Sequence, residues 1–532
     1  MKTFNSPDYV IVGGGSAGCV LANRLSADPS VNVLLLEAGT RDSNPLYRVP
    51  AGFFPLMMSG KGNWNYETTP QAGLGGRTAY FPRGKVLGGS SAINGMVVSR
   101  GNSGDYDRWA ELGNAGWSFA DCLPYFKEIE NVPGGDPAYR GVGGPVDVTF
   151  VQQEQMNPFA RAWMEAGQQV GLPFNPDMNA ETPYGVAQMQ GNYANARRQS
   201  ASACYLAPVA KRANLTVKSK VLVTRVIVEN GCACGVEYLY KGTRHTVYVN
   251  REVILSGGVV NSPQLLQLSG IGDPEDIEQH GIQMVHELPG VGKNLKDHLA
   301  ISVKQRSTRP YSLLATLKPL AMLKTVSEYL LFRSGDAVKG PLEAWAHLKT
   351  EPQLQYPDIQ VYLVPLMYND HGRDIIQEEG FMAVLNGCLP RSVGSVAIRS
   401  ADPAQHPAID PQYLSDPDDL RVMREGIRQV RHIFSQSAFD DCRGSEYAPG
   451  EAADTDDALD NYIRRNANSL YHPVGTCKMG NDTDAVVDQN LCVHGVEGLR
   501  VVDASIMPEI ISGNTNFPTM MIAEKAADII RQ

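Results

Sequence analysis

Behind the apolar run Asp8-Tyr9-Val10-Ile11-Val12 the chain reads Gly13-Gly14-Gly15-Ser16-Ala17-Gly18, and the next apolar run, Val33-Leu34-Leu35-Leu36, closes on Glu37. Strand, glycine turn, helix, strand and acid in that order describe the first βαβ unit of a doubly wound sheet with a dinucleotide at its edge. Gly13 permits the tight turn and Gly15 lets the backbone approach a pyrophosphate. Gly18 lets the helix that begins near Ala17 pack closely on the sheet, so the phosphates sit at a helix N-terminus. Glu37 lies 37 − 18 = 19 residues past Gly18, where a carboxylate accepts hydrogen bonds from the ribose hydroxyls of an adenosine. It would repel a 2′-phosphate, which argues against NADP.

At 532 residues the chain is long enough for two or more domains, and its 43% hydrophobic and 20% charged residues are ordinary for a globular enzyme. A net charge of -10 disfavours nucleic acid as a partner, because phosphate binding needs a basic face. Met1-Lys2-Thr3-Phe4-Asn5-Ser6-Pro7 has no apolar signal core, so a cytoplasmic protein without Sec export is expected. Nine cysteines include no C-x-x-C pair, and Cys232 and Cys234 sit beside a hairpin turn at Asn230-Gly231 as small fillers; reduced thiols are expected. The ten histidines show no H-E-x-x-H spacing, and no catalytic metal is expected.

Along the chain, residues 60 to 104 are glycine-rich and without clean periodicity, as segments that surround a ligand are. Leu215 to Ile254 reads as a meander: Leu215-Thr216-Val217, Val221 to Val228, the turn Glu229-Asn230-Gly231, Val236 to Tyr240 and Thr246 to Val249. Val253-Ile254-Leu255 then returns the chain to a buried parallel sheet. Ile359 to Val364, Met382 to Leu389 and Ser395 to Ile398 predict a second, antiparallel sheet. After it Asp416-Pro417 starts a helix whose Leu420, Met423, Ile427, Val430 and Phe434 share one stripe. The class is therefore mixed α/β: a Rossmann-type nucleotide domain and a second domain of antiparallel sheet flanked by helices. No apolar run reaches the roughly 18 residues of a membrane span. Between Leu313 and Leu330 an apolar strip of Leu313, Leu317, Leu320, Leu323, Val326 and Leu330 predicts a helix packed on its own core; the alternative is a strip that covers the active-site mouth or makes peripheral membrane contact.

Gly84-Lys85-Val86-Leu87-Gly88-Gly89-Ser90-Ser91-Ala92-Ile93-Asn94 resembles the first signature of the glucose-methanol-choline oxidoreductases. Ser262-Pro263-Gln264-Leu265-Leu266-Gln267-Leu268-Ser269-Gly270-Ile271-Gly272 resembles the second. Leu288-Pro289-Gly290-Val291-Gly292-Lys293-Asn294-Leu295, Tyr471-His472-Pro473-Val474-Gly475-Thr476 and Val502-Asp503-Ala504-Ser505-Ile506-Met507-Pro508 extend the resemblance over nearly the whole chain. Val259 departs from the small residue usual in the second signature. The resemblance implies FAD as cofactor. It assigns FAD contacts to Gly13, Gly15, Ser16, Ala17, Gly18, Glu37, Ala38, Arg83, Val86, Gly88, Gly89, Ser90, Asn94, Gly95, Met96, Val97, Val221, Asp503, Ala504, Asn516 and Thr519. Some members attach FAD through a histidine where this chain has Ile93, so binding is expected to be non-covalent. Implied domains are an FAD-binding unit of 1–155, 210–300 and 470–532, and a substrate-binding unit of 156–209 and 301–469.

Oxidising an alcohol requires a base for the hydroxyl proton while a hydride leaves carbon for the flavin. The resemblance gives that role to His472, whose imidazole titrates near neutral pH, with Asn514, 514 − 472 = 42 residues on, holding the substrate oxygen. The last helix, Thr519 to Ile530, is expected to aim its positive N-terminus at the flavin pyrimidine. The branch resembled is that of choline-dehydrogenase-like proteins with FAD-dependent sorbose, polyethylene glycol and other primary-alcohol dehydrogenases. A sugar, polyol or other primary alcohol is the expected substrate, with a quinone or dye as electron acceptor. Glu343 matches a segment that lines the substrate pocket in this family, where it would bind sugar hydroxyls or attract a quaternary ammonium; the alternatives are choline, which a cage of Trp345, Tyr362 and Tyr368 would favour, an oxidase that makes peroxide, and a hydroxynitrile-lyase-like enzyme with structural FAD.

Overall fold

The structure is a computed structural model and describes residues 6–532. Most of the N-terminal segment read for export thus lies outside the described residues. Its first sheet has five parallel strands in the order Leu215–Ser219, Val33–Glu37, Tyr9–Val12, Glu252–Leu255, Leu499–Val501. Val10, Ile11, Leu35 and Ile254 are fully buried, as strands covered on both faces must be, and this explains runs that are apolar throughout instead of alternating. The helices Ser16–Leu25 and Asn516–Arg531 lie together against the sheet, joined by Arg24 on Glu524 at 2.6 Å.

One expected element moves. Leu215-Thr216-Val217 is the edge strand of this parallel sheet, with Leu215 opposite Val33, instead of the first strand of the meander. The reason is local: Lys220 takes a left-handed φ of 61° and donates its N–H to the Gly39 carbonyl at 2.7 Å, so the chain turns out of the sheet there. The meander proper is Val221–Glu229, Cys232–Tyr240 and Thr243–Tyr248.

The second sheet has seven strands, with all of its pairings antiparallel. Its path runs Arg443–Ala448, Leu299–Ser307, Gly380–Gly387, Ile359–Val364, Ala344–Leu348, Gly185–Gln188, and Asn468–Ser469 also pairs with Leu299–Ser307. Leu299, Ile301 and Val303, with Phe381, Ala383 and Leu385, turn one face into a core shared with the helices Pro158–Gln169 and Pro417–Phe434. Asp416 caps the latter through the Asp418 N–H at 2.8 Å, and the expected stripe from Leu420 to Phe434 is buried. The opposite face, carrying Ala300, Ser302, Met382, Val384 and Tyr362, borders the cavity described below. Ser395–Ala397 does not join this sheet. It pairs with Ala408–Asp410, and its other edge is taken up by the Gly292 carbonyl, which accepts from Val396 N–H at 2.7 Å.

The segment after Leu313 also departs from expectation. A short 3₁₀ turn, Leu313–Leu317, leads into the helix Pro319–Phe332, in which Tyr329 alone is buried. Leu320 is 83% exposed, Leu323 66% and Leu331 73%. The apolar spacing predicts which residues share a face, but among the described residues no element covers that face. Among the described residues no helix is long and apolar enough to cross a membrane.

Candidate active site

The nucleotide end is built by close backbone contact. A Cβ on Gly18 would stand 1.9 Å from the Gly13 carbonyl oxygen, so only glycine lets this helix sit on the first strand. The Cα of Gly15 is open by contrast, its nearest neighbour for a Cβ being 4.0 Å away, and it borders a cavity of about 680 Å³. Glu37 is buried, and its two oxygens accept from Gly14 N–H at 2.8 Å and Gly39 N–H at 2.6 Å. Burial pushes its carboxyl up to about 7, against the pull of those two bonds. Ser16 Oγ lies 2.7 Å from Asn516 Oδ1, which brings the start of the first helix and the start of the last to one edge of the cavity. Asp503 is tied down by Ser262 Oγ at 2.6 Å, Gly258 N–H at 2.9 Å and Ser505 N–H at 2.8 Å; it braces the start of the helix Gly258–Leu268.

A second glycine turn meets the first. Gly89 has φ 53°, and a Cβ there would stand 2.7 Å from the Gly15 Cα. Beyond it Asn94 is held by Arg198, whose Nη1 donates to the Asn94 carboxamide oxygen at 2.8 Å, and by the Met96 N–H at 3.1 Å. Arg198 is fully buried, and burial lowers its guanidinium to about 9. The residues present fit FAD. The start of the first helix and a bare glycine face stand ready for a pyrophosphate, the start of the last helix opens on the same cavity, Glu37 borders it, and among the described residues the buried Ser256 hydroxyl on the cavity wall has no partner of its own. Ile93 lines the same cavity and offers no atom for a covalent link.

His472 stands on the cavity wall beyond this turn, followed by Pro473. Its backbone N–H donates to Asp297 Oδ1 at 2.8 Å, and Asp297 also accepts from Ser469 Oγ at 2.6 Å. Its Nδ1 lies 3.0 Å from His298 Nδ1, and its Nε2 lies 3.0 Å from Asn514 Nδ2. The tautomers follow from the partners. The Cys388 carbonyl, 2.8 Å from His298 Nε2, requires a proton on that nitrogen. Neutral His298 therefore presents an Nδ1 lone pair, His472 donates its Nδ1 proton to it, and His472 Nε2 keeps its lone pair, which accepts from the Asn514 amide N–H. Burial pushes His298 down to about 4. His472 is held well below the ordinary imidazole range by burial first, and the Arg83 cation adds to it. The neutral-range titration expected from the sequence is thus displaced toward acid.

Of the residues expected at the site, Gly13, Gly15, Ser16, Ala17, Glu37, Ala38, Arg83, Gly89, Ser90, Asn94, Gly95, Met96, Val97, Val221, His472, Asp503, Ala504, Asn514, Asn516 and Thr519 all border the one cavity. Gly18, Val86 and Gly88 lie behind it. Glu343 is elsewhere: its carboxylate accepts the Asn157 backbone N–H at 2.5 Å, and it does not border the cavity. Trp345 is fully buried with its indole N–H on the Gln188 carbonyl at 3.1 Å, also off the cavity wall. Sequence reasoning missed His298, Asp297 and Arg198. The first two follow directly on Asn294-Leu295-Lys296, where one recognised motif was broken off after Leu295.

A nucleotide cradle continuous with a buried histidine–asparagine pair defines a flavin-dependent oxidoreductase. Residues 7–300 match the N-terminal profile of the GMC oxidoreductases and residues 390–523 the C-terminal one. The chain belongs to the GMC oxidoreductase family, whose cofactor is FAD, and acts on CH–OH donors. It is 45% identical over 532 residues to the mitochondrial choline dehydrogenase of Mus musculus, covering 98% of this chain and 89% of that protein. It is 42% identical over 527 residues to the oxygen-dependent choline dehydrogenase of Brucella anthropi, covering 98% and 95%. Among solved structures, pyridoxine 4-oxidase from Mesorbium loti superposes with a TM-score of 0.90 at 31% identity over 98% of both chains. A formate oxidase from Aspergillus oryzae does so with 0.92 at 28% identity over 99% of both.

Proposed function

We propose that this chain is an FAD-dependent dehydrogenase of primary alcohols in which His472 is the base and Asn514 holds the substrate oxygen. The chain of contacts from the Cys388 carbonyl through His298 and His472 to Asn514 carries the reading, because it fixes His472 Nε2 as the unprotonated nitrogen, its lone pair resting on the Asn514 amide N–H at the cavity wall. A substrate hydroxyl entering between the two takes the place of their direct contact: it donates to Nε2, and the Asn514 amide N–H, released from the imidazole, donates to the same oxygen as negative charge develops on it. The low-lying imidazole is neutral at pH 7 and ready to accept. FAD, when bound, supplies the hydride acceptor; Gly15, Glu37 and Asn94 are the residues that would hold its pyrophosphate, ribose and ring.

The names of the relatives bring choline forward ahead of the sugar or polyol expected from the sequence, and they give the sorbose reading no support. A quinone or dye is the acceptor of this proposal, with oxygen the competing one. The exposed Leu320, Leu323 and Leu331 support peripheral membrane contact by the helix Pro319–Phe332. An anaerobic alcohol panel tests the reaction: bleaching of the oxidised flavin band is expected, and turnover of a cyanohydrin without bleaching would replace a dehydrogenase with a lyase. Parallel assays with a quinone-like dye and for peroxide separate the acceptors.

A further inference from the structure

The cavity wall next to the catalytic pair is the open face of the seven-stranded sheet, and strand register lays its side chains out in rows. Ala300 stands opposite Asn386, and Asn386 opposite Gln360; of this first row Ala300 borders the cavity and the two amides are fully buried. Ser302, Val384 and Tyr362 form the second row, and Lys304, Met382 and Val364 the third. With a rise of about 3.3 Å per residue, the first row is about 13 Å from the third. The first two rows meet the reacting end: Asn514 Oδ1 lies 2.9 Å from the Tyr362 hydroxyl and 3.5 Å from Gln360 Nε2. Away from it the wall turns apolar, with Val364 and Met382 backed by Leu342 and by Leu313 and Leu314.

No row contains a carboxylate, and the groups at the two ends are cations. Arg83 stands behind His472, with Nη2 donating to the Tyr471 carbonyl at 2.6 Å, and raises the local potential enough to depress the imidazole. Lys304, 5% exposed, closes the third row with Nζ on Asn369 Oδ1 at 2.6 Å. The carboxylates that do border the cavity are engaged or remote. Asp370 pairs with Arg373 at 2.7 Å, Glu37 and Asp503 are bound at the nucleotide end, and Glu67 is exposed to solvent. Of the residues considered for a quaternary-ammonium cage, Glu343 and Trp345 are off the wall; Tyr362 and Tyr368 border it, but Tyr362 directs its hydroxyl to Asn514 and no carboxylate stands in the rows beside them. A cation brought to these rows gives up its water and meets no anion.

Resting on the alcohol-dehydrogenase reading, we infer that the substrate is an uncharged primary alcohol whose apolar tail lies along Val384, Met382 and Val364, and not a quaternary ammonium alcohol. The hydroxyl stays at the first rows, where His472 and Asn514 meet it, and the tail runs toward the third.

The test compares choline with 3,3-dimethyl-1-butanol, its neutral carbon isostere, and with 1-hexanol on the FAD-loaded protein. Binding is read from the shift of the oxidised flavin spectrum, and reaction from anaerobic bleaching. The isostere is expected to bind at least tenfold tighter than choline and 1-hexanol tighter still. Ala300→Glu, which puts an anion in the first row, should narrow that gap at least tenfold. Choline binding as tightly as the isostere overturns the inference, and the unsubstituted protein alone decides this if the variant loses its flavin. If no alcohol bleaches the flavin although the isostere still binds tighter, the dehydrogenase reading falls while the charge preference of the wall stands.

Discussion

His472→Ala should slow flavin reduction by about 10²–10⁴-fold with FAD still bound, because a base is lost and no cofactor contact. Asn514→Ala should cost less, about 3 kcal/mol at most, as for loss of one neutral donor to a developing alkoxide. The pH profile follows from the sign of the shift. A base whose pKa lies well below 6.5 is unprotonated at neutral pH, so the reduction rate should stay level from pH 8 to about pH 6.5 and fall only in more acid solution. His298→Ala takes away the neutral acceptor that holds the His472 Nδ1 proton and supports the protonated ring, so its acid limb should move further toward acid while the rate also drops, since the tautomer is no longer fixed. Stopped-flow reduction from pH 5 to 9 reads both effects; an unmoved limb in the His298 variant would remove it as the positioning residue. The base and its amide partner were legible because both stand in recognisable motifs. His298 was not, since it meets His472 from 174 residues away and nothing local in the sequence marks that contact.

At the level of elements, Gly18→Ala should abolish FAD retention, because its methyl group would meet the Gly13 carbonyl at 1.9 Å and push the first helix off the sheet. Flavin content measured after gel filtration checks this. The two amphipathic helices predict opposite outcomes for similar substitutions. Met423→Ala, in the buried stripe of Pro417–Phe434, should cost about 2–5 kcal/mol. Leu323→Ser, on the uncovered face of Pro319–Phe332, should stay within about 0.5 kcal/mol in denaturant titration. Their sequences looked alike because periodicity reports which side chains share a face and says nothing of what lies against it. The same limit governs the strands. Ile359–Val364 is legible to its ends, whereas Leu215-Thr216-Val217, expected in the meander, belongs to the parallel sheet, because an extended run does not name its partner.

Over the whole molecule, acid precipitation should leave the flavin in the supernatant, since Ile93 provides no attachment atom; flavin in the pellet would reveal another covalent link. Arg24→Met should lower stability by about 1–3 kcal/mol, because it leaves the buried Glu524 carboxylate with Tyr205 as its remaining side-chain donor. The first βαβ unit was legible because strand, turn, helix and acid are neighbours in sequence. The fifth strand, Leu499–Val501, was not, as its only claim to the sheet is a pairing with Glu252–Leu255 far earlier in the chain.

That closure has a consequence for how the protein is made. Ser16 and Asn516, 500 residues apart, share one hydrogen bond at the edge of the cavity. As the chain leaves the ribosome the glycine turn emerges well ahead of the elements that complete the site: the strand Glu252–Leu255 keeps a bare edge until Leu499–Val501 arrives, and the helix Asn516–Arg531 arrives later still. A nascent chain halted anywhere before Asn516 carries the opening of the nucleotide site without its lid. Flavin capture therefore waits until Asn516 and the helix it begins have been made, and the yellow colour of the product doubles as a report that translation passed that point.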